Sequence, residues 1–147
     1  MSFIILLVIL IGLSIQDIKE HKIYDIIPLI GIIIGISLGF FYNDTIISAC
    51  YTMLFGFFIL FIPYILIRYL KKQEGIGFGD VLVSACIGTF LSFNETYFSI
   101  TIGFLSAFLF CYLTKKNKIA LIPFFTFGVV FAKILGVFYE INMFNFA

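Results

Sequence analysis

The sequence predicts an all-α integral membrane protein with six transmembrane helices, both termini outside and two aspartates, Asp17 and Asp80, at the cytoplasmic rim. Three observations carry that expectation. Of 147 residues, 63% are hydrophobic and only 12% are charged, and the mean hydropathy is +1.20. That charged share is about half that of an ordinary soluble domain. A soluble chain of this length would leave far more apolar surface in water than a monomer tolerates. The composition therefore excludes a water-soluble globular domain, a disordered chain and a disulfide scaffold. Second, apolar runs cover 1–16, 26–42, 45–67, 81–93, 96–114 and 119–139, with short connectors between them. Third, Lys19 and Lys22 lie in the first connector, Arg68, Lys71 and Lys72 in the third, and Lys115, Lys116 and Lys118 in the fifth. The second and fourth connectors carry Asn43, Asp44, Asn94 and Glu95 instead. Basic connectors stay on the cytoplasmic side, which fixes the orientation.

The runs are read in order as one polytopic domain over 1–147, in the cytoplasmic membrane. The first begins apolar, with no basic residue ahead of it and no small-residue cleavage site, so it reads as a retained span. A helix rises about 1.5 Å per residue and the hydrocarbon core is roughly 30 Å thick. The first and fourth runs are short on that measure, and each adjoins a carboxylate, Asp17 or Asp80. Length thus puts Asp17 and Asp80 at the edge of the membrane. Pro28 and Pro123 fit helix starts, with Asp25 as N-cap of the helix beginning at Ile26. Lys133, inside the last run, is expected to snorkel to the outer headgroups. Cys50, Cys86 and Cys111 sit within apolar runs without C-x-x-C or Cys/His spacing, so they read as buried small hydrophobes, and no metal is expected.

The most informative segment is Gly75-Ile76-Gly77-Phe78-Gly79-Asp80. Alternate glycines admit unusual backbone conformations and close approach by another chain. The third glycine of a dinucleotide fingerprint would fall on Asp80, and no Lys-Ser/Thr follows to make a phosphate loop. A plain turn with Asp80 capping the fourth helix is one reading. The presence of Asp17 at the same expected depth supports another. Two carboxylates a few ångströms apart share one proton, so one member activates water while the other polarises a peptide carbonyl.

With Val81 behind it, the 75–80 stretch resembles the second active-site motif of the type IV prepilin peptidases. The stretch Asp17 to Asp25 is similar in length to their first motif, with Lys22 in a usual basic position and Asp25 at the Asn/Asp position. Ile122-Pro123-Phe124 resembles a third. Tyr24 stands where proline is usual, Leu82 where Lys often follows, and Phe125 where Gly is common. The resemblance implies Asp17 and Asp80 as the catalytic pair and Gly75, Gly77 and Gly79 as the supporting loop. Asp25, Lys22 and Pro123 become substrate-site or helix-cap residues. It implies no cofactor and no nucleic-acid partner; the partners are the lipid bilayer and a prepilin-like, preflagellin or pseudopilin substrate. That substrate carries a short basic leader before a hydrophobic helix. No large cytoplasmic insert with a cysteine tetrad is present, so a peptidase without a methyltransferase domain is expected. The sequence leaves the oligomeric state open.

Two other readings compete. Presenilin and signal-peptide-peptidase-like proteases pair Tyr-Asp with Gly-x-Gly-Asp, which Tyr24-Asp25 and Gly77-Phe78-Gly79-Asp80 match; they have more spans and a Pro-Ala-Leu absent here. A non-enzymatic transporter or channel component would use Asp80 and Lys133 as charge sites. The orientation is open to a direct check. In a cysteine-free background, single cysteines at Asn43 and Asn94 should react with an impermeant thiol reagent in intact cells. Cysteines within 115–118 should react only after lysis, and labelling there in intact cells would invert the topology.

Overall fold

Chain segments without water around them must satisfy their own backbone groups, and a helix does so within each segment. The computed structural model describes residues 2–20, 23–41, 46–71, 77–115 and 119–145. They form α1 (Ser2–Glu20), α2 (Ile26–Phe41), α3 (Ile46–Lys71), α4 (Phe78–Phe90), α5 (Phe93–Thr114) and α6 (Ile122–Asn145). No strand occurs among the described residues.

The packing is a ring around a centre. Helix α1 packs on α2, α2 on α3, α3 on α5, α5 on α6 and α6 back on α1, while α4 touches all five. Gly79 and every residue from Val81 to Thr89 are accordingly buried. The ring helices turn large apolar side chains outward, including Val8, Ile33, Ile47, Phe108 and Leu113. Helices α1, α3 and α5 are long and apolar enough to cross a membrane. An apolar exterior of this extent is a surface for lipid, and the protein is a membrane protein.

Two features differ from the sequence expectation. The fourth apolar run was placed at 81–93 and required the preceding residues to extend it across the bilayer. Helix α4 begins earlier, at Phe78, and ends at Phe90. At 13 residues it is only about 20 Å long. That length is compatible with its enclosure, because a helix wrapped by five others meets little lipid. The break after it is a capping motif: the Ser92 N–H and Oγ donate to Glu95 Oε2 at 3.1 and 3.0 Å. This starts α5 at Phe93, ahead of the apolar run at 96–114. Lys133 also goes beyond expectation. Its Nζ meets Glu95 Oε1 at 2.7 Å and lies over the Phe3 ring, so in addition to any headgroup contact it has a partner across α5 and α6. A carboxylate in reach is the stronger partner for an ammonium flanked by apolar helices.

Close helix contact is made through small residues. A Cβ placed on Gly56 would run into the Ser84 carbonyl, and one on Gly88 into the Thr52 carbonyl. Ser84 Oγ donates to Gly56 O at 2.6 Å, so α3 and α4 meet backbone to backbone. Gly31 and Gly35 of α2 receive Cys86 and Thr89 of α4, and Gly128 of α6 lies against the Ser99 carbonyl of α5. Small residues of this kind let membrane helices approach where no hydrophobic force drives them together. The apolar remainder is contributed by Leu6, Leu10, Leu13, Val83, Ile87 and Phe125, among others.

Gly56→Ala and Gly88→Ala should each lower stability by roughly 1–3 kcal/mol through overpacking against α4 and α3. Gly12→Ala is the control: its Cβ would meet nothing within 4 Å. It should raise stability by up to about 1 kcal/mol through helix propensity. Thermal unfolding in detergent micelles distinguishes the two outcomes.

Candidate active site

The buried face of α1 comprises Leu6, Leu10, Leu13, Ser14 and Asp17. Those positions recur at three- and four-residue steps, so the helical period itself carries the carboxylate onto the core face. Asp17 is only 6% exposed. Its Oδ2 accepts a hydrogen bond from the Ile122 N–H at 3.0 Å. That donor belongs to the first turn of α6, whose leading N–H groups have no partner inside the helix. Pro123, next in the chain, has no N–H to offer. One turn deeper, the Ser14 and Thr126 hydroxyls are hydrogen-bonded at 2.9 Å, and Thr126 Oγ1 donates to the Ile122 carbonyl at 3.0 Å. Asp17 is therefore fixed by the start of α6, more than a hundred residues away in sequence.

Asp80 lies in the first turn of α4 and is half-buried. Its Oδ2 accepts the Gly77 N–H at 3.1 Å, so the carboxylate closes the helix start on itself. The Asp17 carboxylate lies within electrostatic reach of Asp80. Two carboxyl groups from separate, contacting helices thus lie near enough for each to feel the other's charge. Each is held through one oxygen by one backbone N–H, and the other oxygen of each meets no donor among the described residues. Such a pair can exchange protons with a bound substrate without losing its anchorage.

The connector between α1 and α2 completes this end of the bundle. A Cβ on Gly79 would stand 2.8 Å from Ile23 Cβ and 3.4 Å from Asp25 Oδ1, so the connector lies directly on the first turn of α4. Asp25 is exposed. The Ile27 N–H donates to the Tyr24 carbonyl at 3.1 Å, and Pro28 has no N–H. Neither usual donor is left for a side-chain cap, and no cap bond from Asp25 occurs among the described residues. A third carboxylate instead borders the pair. Pro123 is half-buried in the first turn of α6, beside the donor that holds Asp17. Lys22 and Gly75 lie outside the described residues. Among the described residues no group of three or more His, Cys, Asp or Glu side chains could hold a metal ion.

The glycines act differently from one another. Gly77 has φ −76° and ψ 150°, a conformation any residue adopts, and no described glycine has a positive φ. Conformational freedom is therefore not what Gly77 supplies. Gly79 supplies clearance, because the connector occupies the place of its missing side chain. The sequence reading missed the Ile122 N–H altogether. Its signal was an Ile-Pro helix start, which leaves an unpaired donor just ahead of a residue that has none. Gly79→Ala should displace the connector and reduce activity more than tenfold, roughly the effect of overpacking by 1–3 kcal/mol. Gly77→Ala should retain most activity, since among the described residues its Cβ meets only the Asp80 carboxylate, at 3.4 Å from Oδ2. A proteolysis assay on the two single variants checks this ranking.

The sequence pattern of the type IV leader peptidase family matches residues 4–112, about three-quarters of the chain, and includes both Asp17 and Asp80. No curated protein and no solved structure matches the chain. With a family match of that extent laid over an enclosed carboxylate pair, the chain belongs to the type IV leader peptidase family.

Proposed function

We propose that this peptidase is a membrane aspartic endopeptidase that removes the short basic leader from type IV prepilin-like, preflagellin or pseudopilin substrates. What supports the proposal is that Asp17 and Asp80 lie within electrostatic reach of one another, each anchored by one backbone N–H and with its other oxygen meeting no donor among the described residues. In the cleavage step the ionised member takes a proton from water, and the water oxygen attacks the scissile carbonyl. The protonated member gives its proton to the carbonyl oxygen. Collapse of the tetrahedral intermediate breaks the C–N bond, with a proton passing from the first carboxyl group to the leaving nitrogen and a hydroxyl proton of the intermediate returning to the second as the new carbonyl forms. No step calls for a metal.

The placement of basic residues supports six spans with both termini outside and the carboxylate pair at the cytoplasmic side of a multi-pass cytoplasmic-membrane protein. The alternation of helix direction agrees: Asp17 ends α1, Asp80 begins α4, and Ile122 begins α6. The whole of 1–147 acts in this reading as one peptidase domain without a methyltransferase. Asp25, exposed beside Gly79, faces the site with a negative charge suited to a basic leader.

A presenilin-like pairing of Asp25 with Asp80 is the second reading. Against it, Asp17 is buried and anchored while Asp25 is exposed and makes no side-chain hydrogen bond among the described residues. Asn substitution separates the two. Asp17→Asn and Asp80→Asn should each lower leader cleavage by about 10²–10⁴-fold. The double variant should be little worse than either, because the pair works as a unit. Asp25→Asn should leave kcat nearly unchanged. An inactive Asp25→Asn with an active Asp17→Asn would reverse the assignment, and full activity in Asp80→Asn would refute both readings.

A further inference from the structure

Gln16 precedes Asp17 and is not used in the chemistry above. Both polar atoms of its carboxamide, Nε2 and Oε1, are buried, and neither has a hydrogen-bond partner among the described residues. Thr96 Oγ1 is the other such side-chain atom among them. It is a hydroxyl in the first turns of α5, at the end of that helix away from Lys115. A buried carboxamide with neither its donor nor its acceptor met is uncommon in a folded protein.

Its position follows from the helix period. Gln16 is seven residues, close to two full turns, beyond Ile9 and shares its flank of α1. Ile9 Cδ1 lies 3.5 Å from the place a Cβ would take on Gly31 of α2. The same flank therefore faces α2, while the opposite flank, through Ser14, faces Thr126 of α6. At the depth of Gln16 the α2 side is occupied by the Ile23–Asp25 connector and the Gly79 turn of α4. The helical register thus puts Gln16 next to Asp17 and at the level of the connector that carries Asp25.

We propose that Gln16 is a substrate-binding residue whose carboxamide hydrogen-bonds the main chain of the segment being cleaved. This rests on the leader-peptidase reading of Asp17 and Asp80. An extended peptide presents N–H and C=O groups alternately along one edge. A primary carboxamide is the neutral side chain that offers a donor and an acceptor together. It can bind such an edge whatever the side chains, and it holds the scissile carbonyl next to the neighbouring Asp17. Gln16 thereby sets the register of cleavage, while leader charge is read elsewhere.

The test uses full-length protein in detergent with a synthetic prepilin-type peptide carrying a basic leader and an apolar helix. Gln16→Leu keeps side-chain volume and removes both polar atoms. Its melting temperature should equal or exceed that of the wild type, since an unmet buried polar group is gone. Its kcat/KM should fall roughly tenfold or more, the loss expected from a buried hydrogen bond. Substrates with single ester-for-amide replacements near the cleaved bond then locate the contact. At one position the ester should lower wild-type cleavage and have no further effect in Gln16→Leu, because the same bond has already been lost.

Cleavage by Gln16→Leu within twofold of wild type would overturn the proposal, as would esters that are equally harmful in both proteins. A markedly lower melting temperature would also overturn it, by showing that the fold itself uses the carboxamide. A wild-type protein that cleaves no such peptide would overturn the leader-peptidase reading and this inference together. Wild-type cleavage matched by the variant overturns this inference alone.

Discussion

A helix enclosed on every side has to be approached closely from every side, and the rest of this molecule depends on how α4 permits it. Gly56 and Gly88 bring α3 and α4 into backbone contact, and Gly31 and Gly35 open α2 to the side chains of α4. Larger residues at these points would push α4 out of the ring and move its first turn with it. That turn carries Asp80, so helix packing deep in the bundle fixes the position of a carboxylate at its end. The short length of α4 belongs to the same arrangement. A central helix answers to its neighbours, whereas a lipid-facing helix answers to the bilayer.

Asp17 is positioned by a different route. Its own helix turns it inward by periodicity, but its carboxylate is held by a backbone donor at the start of α6. The bond is useful because it comes from a main-chain N–H in a helix start, which does not rotate as a side-chain donor would. The Ser14–Thr126 hydrogen bond one turn away keeps α1 and α6 in register. Asp80, by contrast, is held within its own turn by Gly77. One carboxylate is therefore tied to a distant element and the other to its local loop. The relative position of the pair depends on α1, α4 and α6 being packed correctly together.

The two ends of the bundle differ in their charge chemistry. At one end Asp17, Asp80 and Asp25 gather around the α4 start, and Gly79 leaves room for the connector to close over it. At the other, Glu95 is paired with Lys133 and engaged by Ser92, so its charge is matched within the fold. A neutralised end tolerates an apolar setting. At the first end only Asp17 is buried, and no cation pairs with these carboxylates among the described residues. The catalytic role proposed above falls at the end where the carboxylates lack such a partner among the described residues.

The membrane character of the chain was determined by composition, and its helices by apolar runs broken at short polar connectors. Those are local properties, and six helices appear close to where the runs lie. Motif spacing also pointed to Asp17 and Asp80, because the residue types needed for acid–base work are rare in such a chain. What the one-dimensional pattern could not give was which helix would be central. Run length speaks only to the bilayer, and that α4 is the helix touching all five others emerges only from the packing. Nor could it separate the glycines, since clearance at Gly79 depends on Ile23 arriving there, and no described residue makes the same demand at Gly77. Lys133 was read alone as a headgroup-seeking cation, and only α5 packing on α6 supplied Glu95 as its partner. The Asp17–Ile122 bond is of the same kind: its two groups acquire their relation only when the ring closes from α6 back to α1.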